Sequence, residues 1–207
     1  MPFINHAKKE ISIKVVYNGP GLSGKTTNLD ALHKMLPNKE ERQFITVDTA
    51  NERTLFFDFL NPTDNFEGAY RIRYNLYTVP GQVVYKEARK IVLKGVDAVV
   101  LVFDSQIAAQ KENIELLKEL ENYLQKQDIE IKDIATVVQY NKRDLKNIMD
   151  IKTMEADLNP FRVSCFEAIA IQGIGVKETF ETVCRLAKEK LLNKKGPLTQ
   201  AFPWLNR

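Results

Sequence analysis

The run Gly19-Pro20-Gly21-Leu22-Ser23-Gly24-Lys25-Thr26 constrains the fold more than any other part of this chain. It fits G-x-x-x-x-G-K-[ST], a pattern that carries meaning only between a strand and a helix. Both are in place. The β-branched stretch Ile11–Tyr17 precedes it, and a helical pattern over Thr26–Met35 follows, with Leu29, Leu32 and Leu36 on one stripe. Glycines let backbone N–H groups converge on phosphate oxygens. The helix N-terminus adds its dipole and orphan donors. Lys25 supplies a point charge for the β- and γ-phosphates, and the Thr26 hydroxyl is placed for Mg²⁺. Gly19, Gly21, Leu22, Ser23, Gly24, Lys25, Thr26 and Thr27 are therefore candidate nucleotide contacts. The loop specifies a nucleoside triphosphate without saying which.

Two further short apolar runs, Ala98–Phe103 and Ala135–Gln139, have the β-branched character of central strands covered on both faces. Helical stripes lie between and after them. Leu116, Leu117, Leu120 and Leu124 define one over Asn113–Leu124; Phe180, Val183, Cys184, Ala187 and Leu191 define another over Val176–Leu192. Alternating strands and helices predict an α/β sheet with right-handed crossovers. One stretch breaks that rhythm. Leu55–Leu60 and Ile72–Val79 predict an antiparallel hairpin, with an exposed turn over Asn61–Gly68.

Asn141-Lys142-Arg143-Asp144 follows the third strand, at the end where ligands dock in such sheets. A carboxylate there accepts from guanine N1–H and the N2 amine together, a pair that adenine lacks. Asp144 therefore selects guanine.

These segments together resemble the Ras-like small GTPases, and among them the bacterial gliding-motility and polarity family MglA. The carrying residues are Gly19–Thr27 (GPGLSGKTT), Glu52–Phe59 (ERTLFFDF), Thr78–Gln82 (TVPGQ) and Asn141–Leu145 (NKRDL). The resemblance covers roughly Phe3 to Leu192. It implies a P-loop NTPase fold of the Ras-like G-domain type over residues 1–192, with a mostly parallel sheet, one antiparallel hairpin strand and helices on both faces. Residues 193–207 are left as a flexible tail, in which Phe202, Trp204 and Leu205 are either strapped to the domain or offered to a partner.

The resemblance also implies roles. Thr54, ahead of the first hairpin strand, binds Mg²⁺ and the γ-phosphate. Gly81 contacts the nucleotide, and Gln82 orients the attacking water. Arg53 acts as an arginine finger in cis. Asn141, Lys142 and Asp144 hold the base, and the Ala168 backbone N–H meets guanine O6 within Glu167-Ala168-Ile169. One departure stands out: Thr78 occupies the place of the usual acid of D-x-x-G, and Asp58 is the candidate substitute. The implied activity is a slow GTP hydrolysis serving as a switch, stimulated by an activating protein of the MglB kind, a Roadblock-type dimer. The catalytic set is Gln82, Arg53 and Lys25, and the metal ligands are Thr26 and Thr54. The competing readings are a binding-only pseudo-GTPase, against which Lys25, Thr26, Thr54 and Gln82 argue, and a metabolic nucleotide kinase, which would need a lid and would leave Asp144 idle.

Composition excludes other classes. Lys and Arg total 30 against 27 Asp and Glu, a balance of +3 that does not indicate a nucleic-acid or membrane partner. Two cysteines, Cys165 and Cys184, make no disulfide framework and are expected to be buried thiols in a reducing compartment. His6 and His33 make no metal-ligand spacing. The N-terminus is too polar for a signal peptide, and no stretch approaches a membrane span. The expectation is a soluble cytoplasmic protein, recruited to a cell pole, if at all, through partners.

Overall fold

Successive residues of a strand face opposite sides of a sheet, so a strand apolar at every position must be covered twice. The computed structural model bears this out. It describes residues 2–36, 44–49, 52–66, 70–79 and 86–192, with the backbone alone for 44–49 and 52–66. Strand β6 (Ala98–Asp104) is buried throughout. Ala98, Val100 and Val102 enter one core with α1 (Lys25–Met35) and α5 (Val176–Leu192). Val99, Leu101 and Phe103 enter the other, with α3 (Gln110–Gln125) and α4 (Ile151–Leu158). Strand β7 (Ala135–Asn141) divides likewise: Ala135 and Val137 go to the first core, Val138 and Tyr140 to the second. Leu101 is fully buried. Leu101→Ala is expected to cost about 2–5 kcal/mol, seen as a lower denaturation midpoint at unchanged m-value.

The sheet has the order β3-β4-β5-β2-β6-β7-β8. Strands β5 (Tyr70–Thr78), β2 (Glu10–Asn18), β6, β7 and β8 (Cys165–Glu167) run parallel. Strands β3 (Phe44–Thr49) and β4 (Glu52–Phe66) add an antiparallel wing. Strand β1 (Phe3–Asn5) also pairs antiparallel, against Glu10–Ser12. β6 engages only Val15–Asn18 of β2, so β1 occupies the edge that would otherwise be left open.

The expected frame is present, and the antiparallel part is larger than expected. The hairpin of β4 and β5 is flanked by β3. Within the span Asn61–Gly68, expected as a turn, β4 continues to Phe66 with a register slip between Leu60 and Asn65. Pro62 falls within that slip, where its missing N–H breaks no ladder. Helix α2 (Lys86–Leu93) and α4, each of eight residues, were too short for their apolar stripes to be distinctive. Cys184 is buried as expected, but Cys165 is exposed, since β8 is a three-residue edge strand. No helix among the described residues is long and apolar enough to cross a membrane. The tail 193–207 lies outside the described residues.

Candidate nucleotide-binding site

The phosphate loop leaves β2 at Asn18 and enters α1 at Lys25, at the carboxyl end of the parallel strands. Its glycines are demanded by space. A Cβ on Gly19 would lie 2.2 Å from the Val102 carbonyl oxygen and 2.6 Å from Ser23 Oγ. A Cβ on Gly24, where φ is +99°, would lie 2.1 Å from Asn141 Nδ2. Leu22 also has positive φ and is 90% exposed at the loop's outer turn. Such turns aim successive N–H groups into one concavity. Lys25 is buried, and its Nζ donates to the Pro20 carbonyl at 2.6 Å, so the cation is held within the loop. The Ser23 hydroxyl is buried with no hydrogen-bond partner among the described residues. A cradle of amides, an inward cation and an orphaned hydroxyl fits a polyphosphate.

The Asn141–Asp144 segment is stitched to this cradle by one side chain. Asn141 Nδ2 donates to the Ser23 carbonyl at 2.8 Å, and its Oδ1 accepts from the Ala170 amide at 2.9 Å. Its own carbonyl accepts from the Ser105 amide at 3.0 Å. Lys142 takes φ +66° and donates to Asp104 Oδ2 at 2.6 Å. Asp104 ends β6 level with Asn141 and also accepts from the Gln106 amide at 3.0 Å. Arg143 ties the next loop down: its Nε donates to Glu167 at 2.9 Å and its Nη1 to the Met149 carbonyl at 2.8 Å. Asp144 is exposed. Three members of the tetrapeptide therefore hold the loop, and the fourth is left exposed.

The expectation for Ala168 needs correction. Its amide donates to the Tyr140 carbonyl at 2.8 Å, a rung of the β7–β8 ladder, and is not offered to a base. The Ile169 amide goes to the Ile174 carbonyl at 3.0 Å. Sequence reasoning had placed this segment in a loop because it missed β8.

Sequence reasoning also missed Asp104, and a buried link running from strand to helix. Gln139 Nε2 donates to Asn28 Oδ1 at 2.9 Å and to Thr179 Oγ1 at 3.0 Å. Asn28 Nδ2 in turn donates to the Gly24 carbonyl at 3.0 Å. A glutamine in an otherwise apolar strand was the available signal, because a buried amide requires partners.

The expected switch residues are placed only in part. Arg53 and Thr54 do not precede the strand: both lie in β4, opposite Asp48 and Val47 of β3. Asp58 opposes Asn75, three residues short of Thr78 and so ~10 Å along the strand from its level. The side chains of Arg53, Thr54 and Asp58 lie outside the described residues, as do Gly81 and Gln82 altogether. Thr78 is buried at the end of β5, level with Tyr17. Among the described residues no three His, Cys, Asp or Glu side chains cluster as metal ligands.

The model of the Ras family matches residues 14–189. The chain is also 43% identical over 196 residues to the mutual gliding-motility protein MglA of Myxococcus xanthus (strain DK1622), an alignment covering 95% of this chain and all of that protein. With the phosphate loop and the Asn141–Asp144 loop meeting at Asn141, the chain belongs to the Ras family of small GTPases.

Proposed function

We propose that this protein is a GTP-hydrolysing switch of the MglA kind, acting in gliding motility or cell polarity, and that a Roadblock-type dimer stimulates its slow turnover. The observation that carries the reading is the Asn141 bridge, which fixes the base-reading loop against the phosphate loop in one crevice. A kinase has no use for an exposed carboxylate held at that point. Lys25 holds the β- and γ-phosphate oxygens, and the residues of Gly19–Thr27 other than Pro20 supply amides. Thr26 and Thr54 are the ligands for Mg²⁺, whose chemistry when bound is neutralisation of the phosphate oxygens. Asp144 accepts from the guanine edge, and Lys142, braced by Asp104, lies along the base. The amide at Ile171, in the 3-10 turn that follows Ala168, takes the place of Ala168 toward guanine O6. Gly81 and Gln82 bring the attacking water to the γ-phosphate, and Arg53 neutralises the charge that develops on it.

The deciding experiment identifies the nucleotide that co-purifies with the protein, then measures its single-turnover hydrolysis with and without a Roadblock-type dimer. Bound guanine nucleotide, slow hydrolysis alone and fast hydrolysis with the dimer are expected. Bound GTP that is never hydrolysed would make the chain a binding-only module. For the base, Asp144→Asn is expected to cut the preference for GTP over ATP by ~5–150-fold, the range for loss of a bidentate base contact. Competition titration checks it, and an unchanged preference would remove Asp144 from the site.

A further inference from the structure

Alternate residues of a strand share a face, so Gln139 and Asn141 of β7 lie on the side of Ala135 and Val137, toward α1 and α5. Ala135 and Val137 fill that side with apolar groups. Gln139, outside the Asn141–Asp144 segment, instead makes a second bridge beneath the one at Asn141, between the two helices. Its hydrogen bonds have one consistent assignment. The Gly24 carbonyl can only accept, so Asn28 presents Nδ2 to it at 3.0 Å and turns Oδ1 toward Gln139. Gln139 must then present Nε2, whose two hydrogens go to Asn28 Oδ1 at 2.9 Å and Thr179 Oγ1 at 3.0 Å. Thr179 in turn donates its hydroxyl hydrogen to the Gly175 carbonyl at 2.6 Å. Donors thus run outward from one amide to the carbonyl just ahead of each helix.

Asn28, Gln139 and Thr179 are all fully buried, and Gln139 Oε1 has no partner among the described residues. A buried acceptor left unpaired costs stability, a cost that an apolar side chain such as Val137 avoids. What the Gln139 donors hold therefore explains the residue better than the stability it adds. The two carbonyls belong to opposite ends of the cleft. The Gly24 carbonyl also accepts from the Asn28 amide at 2.9 Å, so it is aimed along α1. In a planar trans peptide the Lys25 N–H then points the other way, into the phosphate cradle. Gly175 is seated against β8: a Cβ there would lie 2.2 Å from the Glu167 carbonyl oxygen and 3.1 Å from Ala168 Cα.

We propose that Gln139, with Asn28 and Thr179, is a positioning device that couples the phosphate loop to the base side of the cleft and slows release of the bound nucleotide. The inference rests on the guanine-nucleotide reading above. The three side chains act through the Gly24 and Gly175 carbonyls, so that loosening one end of the cleft loosens the other.

The test loads the full chain with a fluorescent GDP analogue and Mg²⁺ and follows its release into excess unlabelled GDP. Gln139→Met removes both donors at similar length and is expected to speed release about 2–30-fold, the range for residues that modulate coupling between sites. Thr179→Val should also speed release, and Thr179→Ser, which keeps the hydroxyl, should not. In the Gln139→Met background Thr179→Val should add nothing, because the bridge is already cut. Thr179→Val should also raise amide hydrogen exchange at Lys25, across the bridge in α1. Leu124→Ala, buried in the opposite core, is destabilised elsewhere and should release at the wild-type rate. The proposal is overturned if Gln139→Met speeds release less than about twofold. It is also overturned if the two substitutions act independently, if Thr179→Ser behaves as Thr179→Val, if Lys25 exchange is unchanged, or if Leu124→Ala speeds release as much. Should Gln139→Met not fold, the Thr179→Val and Thr179→Ser pair decides alone. A wild-type chain that holds no GDP would instead remove the guanine-nucleotide reading, and this inference with it.

Discussion

Replacing Lys25 with alanine is expected to abolish tight guanine-nucleotide binding. The side chain is buried, and its ammonium is held inside the phosphate loop by the Pro20 carbonyl. The cation is therefore positioned before a ligand arrives. Removing one member of a buried, hydrogen-bonded charge pair costs about 2–5 kcal/mol, which corresponds to ~30–5,000-fold in affinity. The loop amides remain in the variant, so weak phosphate affinity should persist while nucleotide no longer co-purifies. Titration with a fluorescent GDP analogue measures the loss, and a thermal melt of the nucleotide-free protein confirms that the fold survives. Affinity within a factor of three of wild type would refute the assignment of this loop.

The second large effect concerns stimulated hydrolysis. Arg53→Ala and Gln82→Ala should each retain GTP binding and lose most of the acceleration conferred by a Roadblock-type dimer. A well-placed arginine finger contributes ~10³–10⁵ in rate. Arg53 lies in β4, paired opposite Asp48, and so belongs to the sheet's antiparallel wing. If that arginine is the finger, the partner need not insert one; it need only hold the strand and the Gln82 segment in a productive arrangement, because misplaced groups forfeit most of their electrostatic benefit. Substituting arginines on the partner's contact surface should then leave stimulation intact wherever the complex still forms. Stimulation that survives Arg53→Ala but disappears with one partner arginine would place the finger in trans. Single-turnover rates at saturating partner separate the two outcomes.

Legibility from sequence varied with the range of the interactions involved. The phosphate loop, the central strands and the three long helices could be read directly, because glycine spacing and apolar periodicity are local signals. α1, α3 and α5 lie within three residues of their expected bounds. The short elements could not be read. β3 and β8 have six and three residues, and exist because a neighbouring strand supplies their hydrogen bonds. The error at Ala168 followed from this: with β8 missed, nothing showed that its amide was already taken by Tyr140. Thr54 was misplaced for a similar reason, since the start of β4 is set by pairing with β3.

By itself, then, the sequence determined that a strand, a glycine turn and a helix would form a phosphate cradle, and that a carboxylate at Asp144 would follow a buried strand. Both are properties of contiguous residues. Which atoms remain open to a ligand was decided only by tertiary structure. Asn141 spans 118 positions to reach Ser23, and Lys142 spans 38 to reach Asp104. Each buried amide, carbonyl and charge must find a partner wherever the fold brings one, and those pairings leave Asp144 facing outward while withdrawing Ala168.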